Sequence, residues 1–400
     1  MYIGIICEFD PLHSGHARLL SHARAMGADA VICAMSGNFT QRGSFAALDK
    51  RARAEMAVRC GADLVVELPT VWAMSPAETF ARGGVQLLAL TGVDTLLFGS
   101  ECGELSALRR LADCLDSPAF ADRLTAADSG ATFAVRRQRA AAALLGDADA
   151  ALLGDADAAL LESPNNTLAV EYLRALRRTG ASMTPATLLR TGAAHDGAPE
   201  GGTASASYLR QLLRQGQGEA ACGFTPPEAA DILRRELSHG RVTDSALCER
   251  AVLSRLRVMT EEDWRGYDPG GEGLYHRLYQ AARSACTVDG LLSAAKTKRY
   301  PLARLRRMAL AAYLQLPPAP AQVPYIRVLA ATAAGRTHLR RLRDAGAPVL
   351  TKPADVSSLG ADAAALFALE GRCTDLYVLA RPDLTQSAPG QDYRTTPVMV

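Results

Sequence analysis

The chain has 400 residues, 48% of them hydrophobic and 22% charged, with 44 Lys and Arg against 42 Asp and Glu and a formal net charge of +2. A chain of that length and composition buries a large core, in two domains by size, which excludes disordered and fibrous classes. A charge so close to balance permits nucleic-acid binding only where basic residues cluster. The nine cysteines are scattered, with no C-x-x-C and no short spacing to histidine. Neither a zinc site nor a disulfide framework is indicated, and reduced thiols in a cytoplasmic protein are expected. No apolar stretch reaches about 18 residues, and no basic segment leads into an apolar core at the N-terminus, so neither a membrane span nor a signal peptide is expected. No stable protein partner is evident.

Tyr2 to Cys7 enters the stretch CEFDPLHSGHARLL like a strand, and Ala17 to Met26 leaves it like an amphipathic helix. Pro11 fixes its own φ and lacks an N–H, so it ends the strand, while Gly15 leaves room for a ligand at the helix start. The free N–H groups of that first turn make an anion site, and His13 and His16 add two imidazoles beside it. Ala30 to Met35 is a second strand, closed by Ser36-Gly37-Asn38. Asp49 caps a helix to Cys60, with Gly61 as its stop. Leu64 to Leu68 is a third strand, ended by Pro69. Ser75-Pro76-Ala77-Glu78 has the form of a capping box and opens a helix to Leu90. Thr95 to Phe98 is a fourth strand. This alternation predicts an open parallel sheet with right-handed crossovers. Ligands bind beyond the carboxyl ends of such strands, where Asp10 to His16, Ser36 to Gly43 and Gly99 to Glu101 converge.

The pattern is helical from 104 to 146. GDADAALL at 146 to 153 then recurs at 154 to 161, read as a tandem duplication that lengthens a surface helix or its connection. Ser163-Pro164-Asn165-Asn166 precedes a helix over Leu168 to Arg178. Residues 191 to 204 form a loop, and Ser205, Ser207 and Arg210 follow at a helix start. Gly216 to Pro227 reads as a linker, and the chain beyond is helical to 316. Tyr325 to Ala331 and Ala347 to Leu350 are apolar stretches that period alone leaves as strands or helix starts.

Three constellations carry chemistry. His13-Ser14-Gly15-His16 lies at the first strand-to-helix turn, where nucleotidyl transfer needs donors for charge growing on the α-phosphate and on pyrophosphate. The plainer alternative is that one histidine only caps the turn. Ser205, Ser207 and Arg210 combine hydroxyls, helix N–H groups and a guanidinium fork suited to a triphosphate tail; the alternative is a serine cap and a solvated arginine. The run KTKRYPLARLRR carries Lys296, Lys298, Arg299, Arg304, Arg306 and Arg307, with Tyr300 able to stack on a base. A solvated helix face is its usual explanation, but no Glu or Asp stands in it to form the pairs such a face carries. Arg336, Arg340, Arg341 and Arg343 extend it weakly.

EFDPLHSGH, MSGNFTQRG at 35 to 43, GADLVVELP at 61 to 69, FGSE at 98 to 101, SPNN at 163 to 166 and KTKRY at 296 to 300 together resemble the bacterial tRNA(Met) cytidine acetate ligase family, of the HxGH nucleotidyltransferase superfamily. The resemblance implies an α/β fold with a Rossmann-like parallel sheet, followed by a mainly helical C-terminal domain. An adenylation domain would span 1–220 and a basic tRNA-binding domain 228–400. It implies that ATP and acetate give acetyl-adenylate and pyrophosphate, and that the acetyl group passes to N4 of the wobble cytidine, C34, of elongator tRNA(Met). The implied ATP site comprises Ile6, Cys7, Glu8, Phe9, Asp10, Pro11, Leu12, His13, Ser14, Gly15, His16, Ala17, Arg18, Leu19, Gly99, Asn165, Arg190, Ser207 and Arg210. His13 and His16 are the catalytic pair, Mg²⁺ accompanies ATP, and no protein metal site is implied. Two departures stand out. Asp10 and Leu12 replace the usual asparagine and phenylalanine, and a carboxylate beside a triphosphate repels it unless protonated, turned away or bridged by metal. The duplication also falls just before Asn165. The rival readings are a small-molecule nucleotidyltransferase of the same fold and an RNA-binding protein with a degenerate nucleotide site.

Overall fold

The computed structural model describes residues 1–126, 132–148, 158–191, 203–268, 270–271 and 273–400. Most of the duplication and of the 191–204 loop therefore lies outside the described residues. The centre is a sheet whose strands are β1 (Tyr2–Cys7), β2 (Ala30–Ser36), β3 (Leu64–Leu68), β4 (Thr95–Ser100), β5 (Thr184–Leu189), β6 (Ile326–Ala331), β7 (Val349–Leu350) and β8 (Val398–Met399). Their order is β8-β6-β3-β2-β1-β4-β5, with β7 also on β6. Pairing is parallel everywhere except between β3 and β6. The alternating pattern thus yields the expected Rossmann-like parallel sheet.

Helices cover both faces, which is why β2 and β3 are predominantly apolar rather than alternating, with Ser36 and the buried Glu67 as the exceptions. Ile3, Ile5, Val31, Cys33, Met35 and Val65 pack against one layer, which includes Leu20, Leu209 and Leu233. Ile6, Ile32, Ala34, Val66, Leu96 and Phe98 pack against the other, with Phe80, Leu88, Val170 and Leu173. That second core continues into the helices between residues 249 and 314 through Leu256, Trp264, Leu278 and Tyr313. The sheet takes β6 and β8 from beyond residue 228, so the C-terminal part is helical but also supplies strands to the N-terminal sheet.

Strand order reverses at β1, whose neighbours are β2 on one side and β4 on the other. β1 and β4 pair only through Ile3 with Thr95 and Gly4 with Leu96, so they part toward their carboxyl ends. An open α/β sheet binds its ligand at such a point.

Three local readings need correction. The helix after β1 begins at Ser14, not Ala17, because His13 caps it. The expected Ser75 capping box does not form: the next helix starts at Ala77 without a side-chain cap, and Ser75 Oγ instead donates to the Val71 carbonyl at 2.6 Å. The 216–227 segment is a tether rather than a free linker, since Phe224 O accepts both the N–H and the Oγ–H of Ser14, at 3.2 and 3.0 Å.

Candidate active site

Beyond β1 the chain bends through Phe9, whose φ of +47° is left-handed and whose ring is buried. Asp10 follows, also buried. Its Oδ1 accepts the Ala47 N–H at 2.6 Å, while Arg210 donates to its carbonyl oxygen at 2.6 Å and lies 3.5 Å from Oδ2. The carboxylate that seemed out of place beside a triphosphate is thus a brace for the turn, neutralised by Arg210.

His13 is the N-cap of the helix Ser14–Ala25. Its Nδ1 accepts the Gly15 N–H at 3.1 Å, and its own N–H donates to His16 Nδ1 at 3.4 Å. The two imidazoles therefore form a reciprocal capping box. Because both Nδ1 atoms accept, a neutral ring carries its proton on Nε2. Burial, followed by Arg190 and Arg210, lowers the His13 pKa to about 4; burial, then His13 and the same arginines, holds His16 well below an ordinary imidazole. The ring centroids are 3.8 Å apart, so a second positive charge there is disfavoured. Capping and phosphate handling are not alternatives here: the bond that caps the helix also fixes the tautomer that offers an Nε2–H. A Cβ at Gly15 would lie 3.0 Å from His13 Cε1, so the glycine admits the histidine ring across the helix start.

These groups open onto a cavity of about 350 Å³ between the carboxyl ends of β1 and β4. Among the expected residues, Ile6, Cys7, Glu8, Phe9, Asp10, His13, His16, Leu19, Gly99, Asn165, Arg190 and Arg210 line it. Gly15 and Arg18 line an adjoining space of about 60 Å³. Pro11, Leu12, Ser14, Ala17 and Ser207 stand outside both linings. Leu12 is fully buried and Ser14 is tied to Phe224. Ser205 lines both spaces, caps the helix Ala206–Arg214 through the Tyr208 N–H, and sits 3.1 Å from Ser207 Oγ.

Opposite the histidines, the end of β4 and the helix Pro164–Thr179 are locked together. Glu101 accepts from Asn165 N–H, Asn165 Nδ2 and Asn166 N–H at 3.2, 2.6 and 2.7 Å, and Asn166 Oδ1 accepts the N–H groups of Glu101 and Cys102. The carboxylate occupies the positive end of that helix. Arg190 directly follows β5, donates its N–H to Ser100 O at 2.9 Å, and passes over Gly99, where a Cβ would meet its Cγ at 3.1 Å.

Sequence reasoning missed β5, the hairpin Phe39–Thr40/Ser44–Phe45 that contributes Thr40, Gln41, Arg42 and Ser44, and the cavity residues Phe80, Thr167 and Tyr172. The TQRG turn between two short polar-aromatic pairs was the available signal for the hairpin. Among the described residues no group of three or more His, Cys, Asp or Glu is placed to hold a metal ion.

In the basic run, Lys296, Lys298 and Arg306 are exposed and Arg299 is half-buried. Arg304 pairs with Asp268 at 3.1 Å, and Arg307 donates to the Gln41 carbonyl at 3.3 Å. The counter-ion absent from the run comes from a distant acid. Tyr300 is buried beneath Arg299 and Arg304, so it is not a base-stacking platform. The second arginine group does not extend the run: Arg341 donates to the Tyr2 hydroxyl, at the end of the sheet away from the cavity.

A family model described as HIGH Nucleotidyl Transferase matches residues 1–392. The chain is 33% identical to the tRNA(Met) cytidine acetate ligase of Syntrophomonas wolfei, over 99% of each protein. It is 38% identical to that of Syntrophotalea carbinolica, over 76% of this chain and 72% of that protein. Two crystal structures of Thermotoga maritima TmcAL superpose on 100% of this chain and 99% of theirs at 28% identity, an apo form with TM-score 0.94 and one bound with alpha-thio ATP with TM-score 0.91. The histidine turn, the parallel sheet around it and these matches across the whole length agree: the chain belongs to the tRNA(Met) cytidine acetate ligase family of HIGH nucleotidyltransferases.

Proposed function

We propose that the cavity binds ATP, activates acetate as acetyl-adenylate, and presents the acetyl group to N4 of the wobble cytidine of elongator tRNA(Met). The observation that carries the reading is the convergence of two neutral, tautomerically fixed histidines with Arg190 and Arg210 on one cavity at the strand-order reversal. The acetate carboxylate attacks the α-phosphorus and pyrophosphate leaves. The Nε2–H groups of His13 and His16, with Arg190, stabilise the charge that grows, and no protein nucleophile is needed. Neutral donors suit this step because they lose no proton to the phosphates. Asp10 and Arg210 hold the turn, Asn165 and Gly99 form the facing wall, and Ser205 is better placed than Ser207 for a phosphate tail. Mg²⁺ would arrive with the triphosphate and keep largely phosphate and water ligands; no step is assigned to a metal held by the protein.

The names of the relatives support this reading over a small-molecule nucleotidyltransferase, and the ATP analogue bound in the Thermotoga protein supports ATP as the nucleotide. Exposed Lys296, Lys298 and Arg306 suit a phosphate backbone, and Arg307 links that region to the cavity hairpin. Among the described residues no helix is long and apolar enough to cross a membrane, which suits action on tRNA in the cytoplasm. The test is incubation with ATP, labelled acetate and total tRNA. Label in one tRNA species, dependent on ATP, is expected; label in no tRNA would overturn the proposal.

A further inference from the structure

Forming an amide from a cytidine amine poses a problem that adenylation does not. The exocyclic amine attacks as a neutral, weak nucleophile, and the adduct must lose an N–H proton before AMP departs, or it reverts. Some group in the cavity has to take that proton. The two histidines are unsuited, because their Nδ1 atoms are held by the capping box and their Nε2 atoms already carry hydrogen. Asp10 is committed to the Ala47 N–H and Arg210. The Cys7 thiol and Tyr172 phenol are kept protonated chiefly by burial.

Glu8 remains. It ends the approach to the histidine turn and lines the cavity; its Oε1 accepts the Gln41 N–H at 2.6 Å, and among the described residues its Oε2 carries no hydrogen bond. The same residue, Gln41, receives the Arg307 guanidinium on its carbonyl at 3.3 Å. One residue of the hairpin thus joins the carboxylate to the basic run, so Glu8 stands on the side from which RNA would enter. Burial and the neighbouring Asp10 raise its pKa, against the Gln41 N–H and Arg210 and Arg53, which makes it a stronger base than an exposed carboxylate.

On the reading of the reaction proposed above, we infer that Glu8 is the general base for acetyl transfer. As N4 bonds to the acetyl carbon, the carbonyl electron pair moves onto oxygen. Oε2 takes one N4 proton, the pair returns, and the bond to the adenylate oxygen breaks to release AMP. No further reactant is required.

The test separates the two half-reactions in Glu8→Gln, which keeps an acceptor for Gln41. Acetate-dependent exchange of pyrophosphate into ATP reports adenylation; single-turnover transfer from enzyme-bound acetyl-adenylate to tRNA reports the second step. Transfer is expected to fall about 100-fold more than exchange. Glu8→Asp, which restores a carboxylate, recovers part of that loss. Equal losses in both steps, or no loss in transfer, would overturn the assignment, as would a Glu8→Asp enzyme that transfers no better than Glu8→Gln. Absence of acetate-dependent exchange in the unmutated enzyme would overturn the underlying reading instead, and the role of Glu8 with it.

Discussion

His13 caps its helix through Nδ1, while the role we propose for it toward phosphate falls to Nε2, so a single substitution separates the two. Asparagine is among the best N-caps and can accept the Gly15 N–H, but it puts no Nε2–H into the cavity. His13→Asn should therefore melt close to the parent while pyrophosphate exchange falls about 100-fold, a loss typical of removing one charge-stabilising donor. His13→Ala should lose about 1 kcal/mol of stability as well. The ring also sets a pH dependence. Its folded pKa, near 4, lies below the ordinary 6.5, so between those values the unfolded chain binds the proton and the folded chain does not. Stability should fall as pH drops through that window, and denaturant titrations at pH 7 and pH 5 check it. The histidine pair and its first-turn position were legible in the sequence. The tautomers were not, because they depend on how the rings fold back on the backbone, and the brace formed by Asp10 was not, because Ala47 and Arg210 come from distant segments.

Between elements, the clamp of Glu101 with Asn165 and Asn166 fixes the width of the cavity by tying the end of β4 to the helix Pro164–Thr179. Glu101→Ala removes three charge-assisted bonds and should raise the KM for ATP about tenfold while costing about 1.5–3 kcal/mol, measured by exchange kinetics and thermal melting. A raised melting temperature with unchanged KM would show the clamp to be dispensable. FGSE and SPNN were visible as separate motifs, but nothing in their spacing paired them. The first four strands could be read because burial on both faces makes them predominantly apolar. β5 could not, since it is an edge strand with Pro185 in it and side chains that are half-buried or exposed, a composition that reads as a loop.

At the scale of the molecule, the C-terminal residues close the fold over the nucleotide half. Lys50 Nζ lies 2.7 Å from Glu67 and 2.8 Å from Asp392, and Arg327 lies 2.9 and 3.1 Å from the same two carboxylates, all deeply buried. Removing one partner from such a network strands the others, so Asp392→Ala should cost about 3–5 kcal/mol in a denaturant titration. The network spans residues 50 to 392, and no periodicity foretells it; the apolar stretch at Tyr325 to Ala331 showed only that something there would be buried. Its partner, β3, lies far back in the chain. One fold thus joins the histidine cavity to a basic region through Gln41 of the hairpin, and on the function we propose acetate is activated at the histidine turn. Acetate-dependent exchange of labelled pyrophosphate into ATP tests this most directly. Exchange that requires acetate and collapses in His13→Asn is the result expected; no exchange with acetate, or exchange only with a nucleotide precursor, would contradict it.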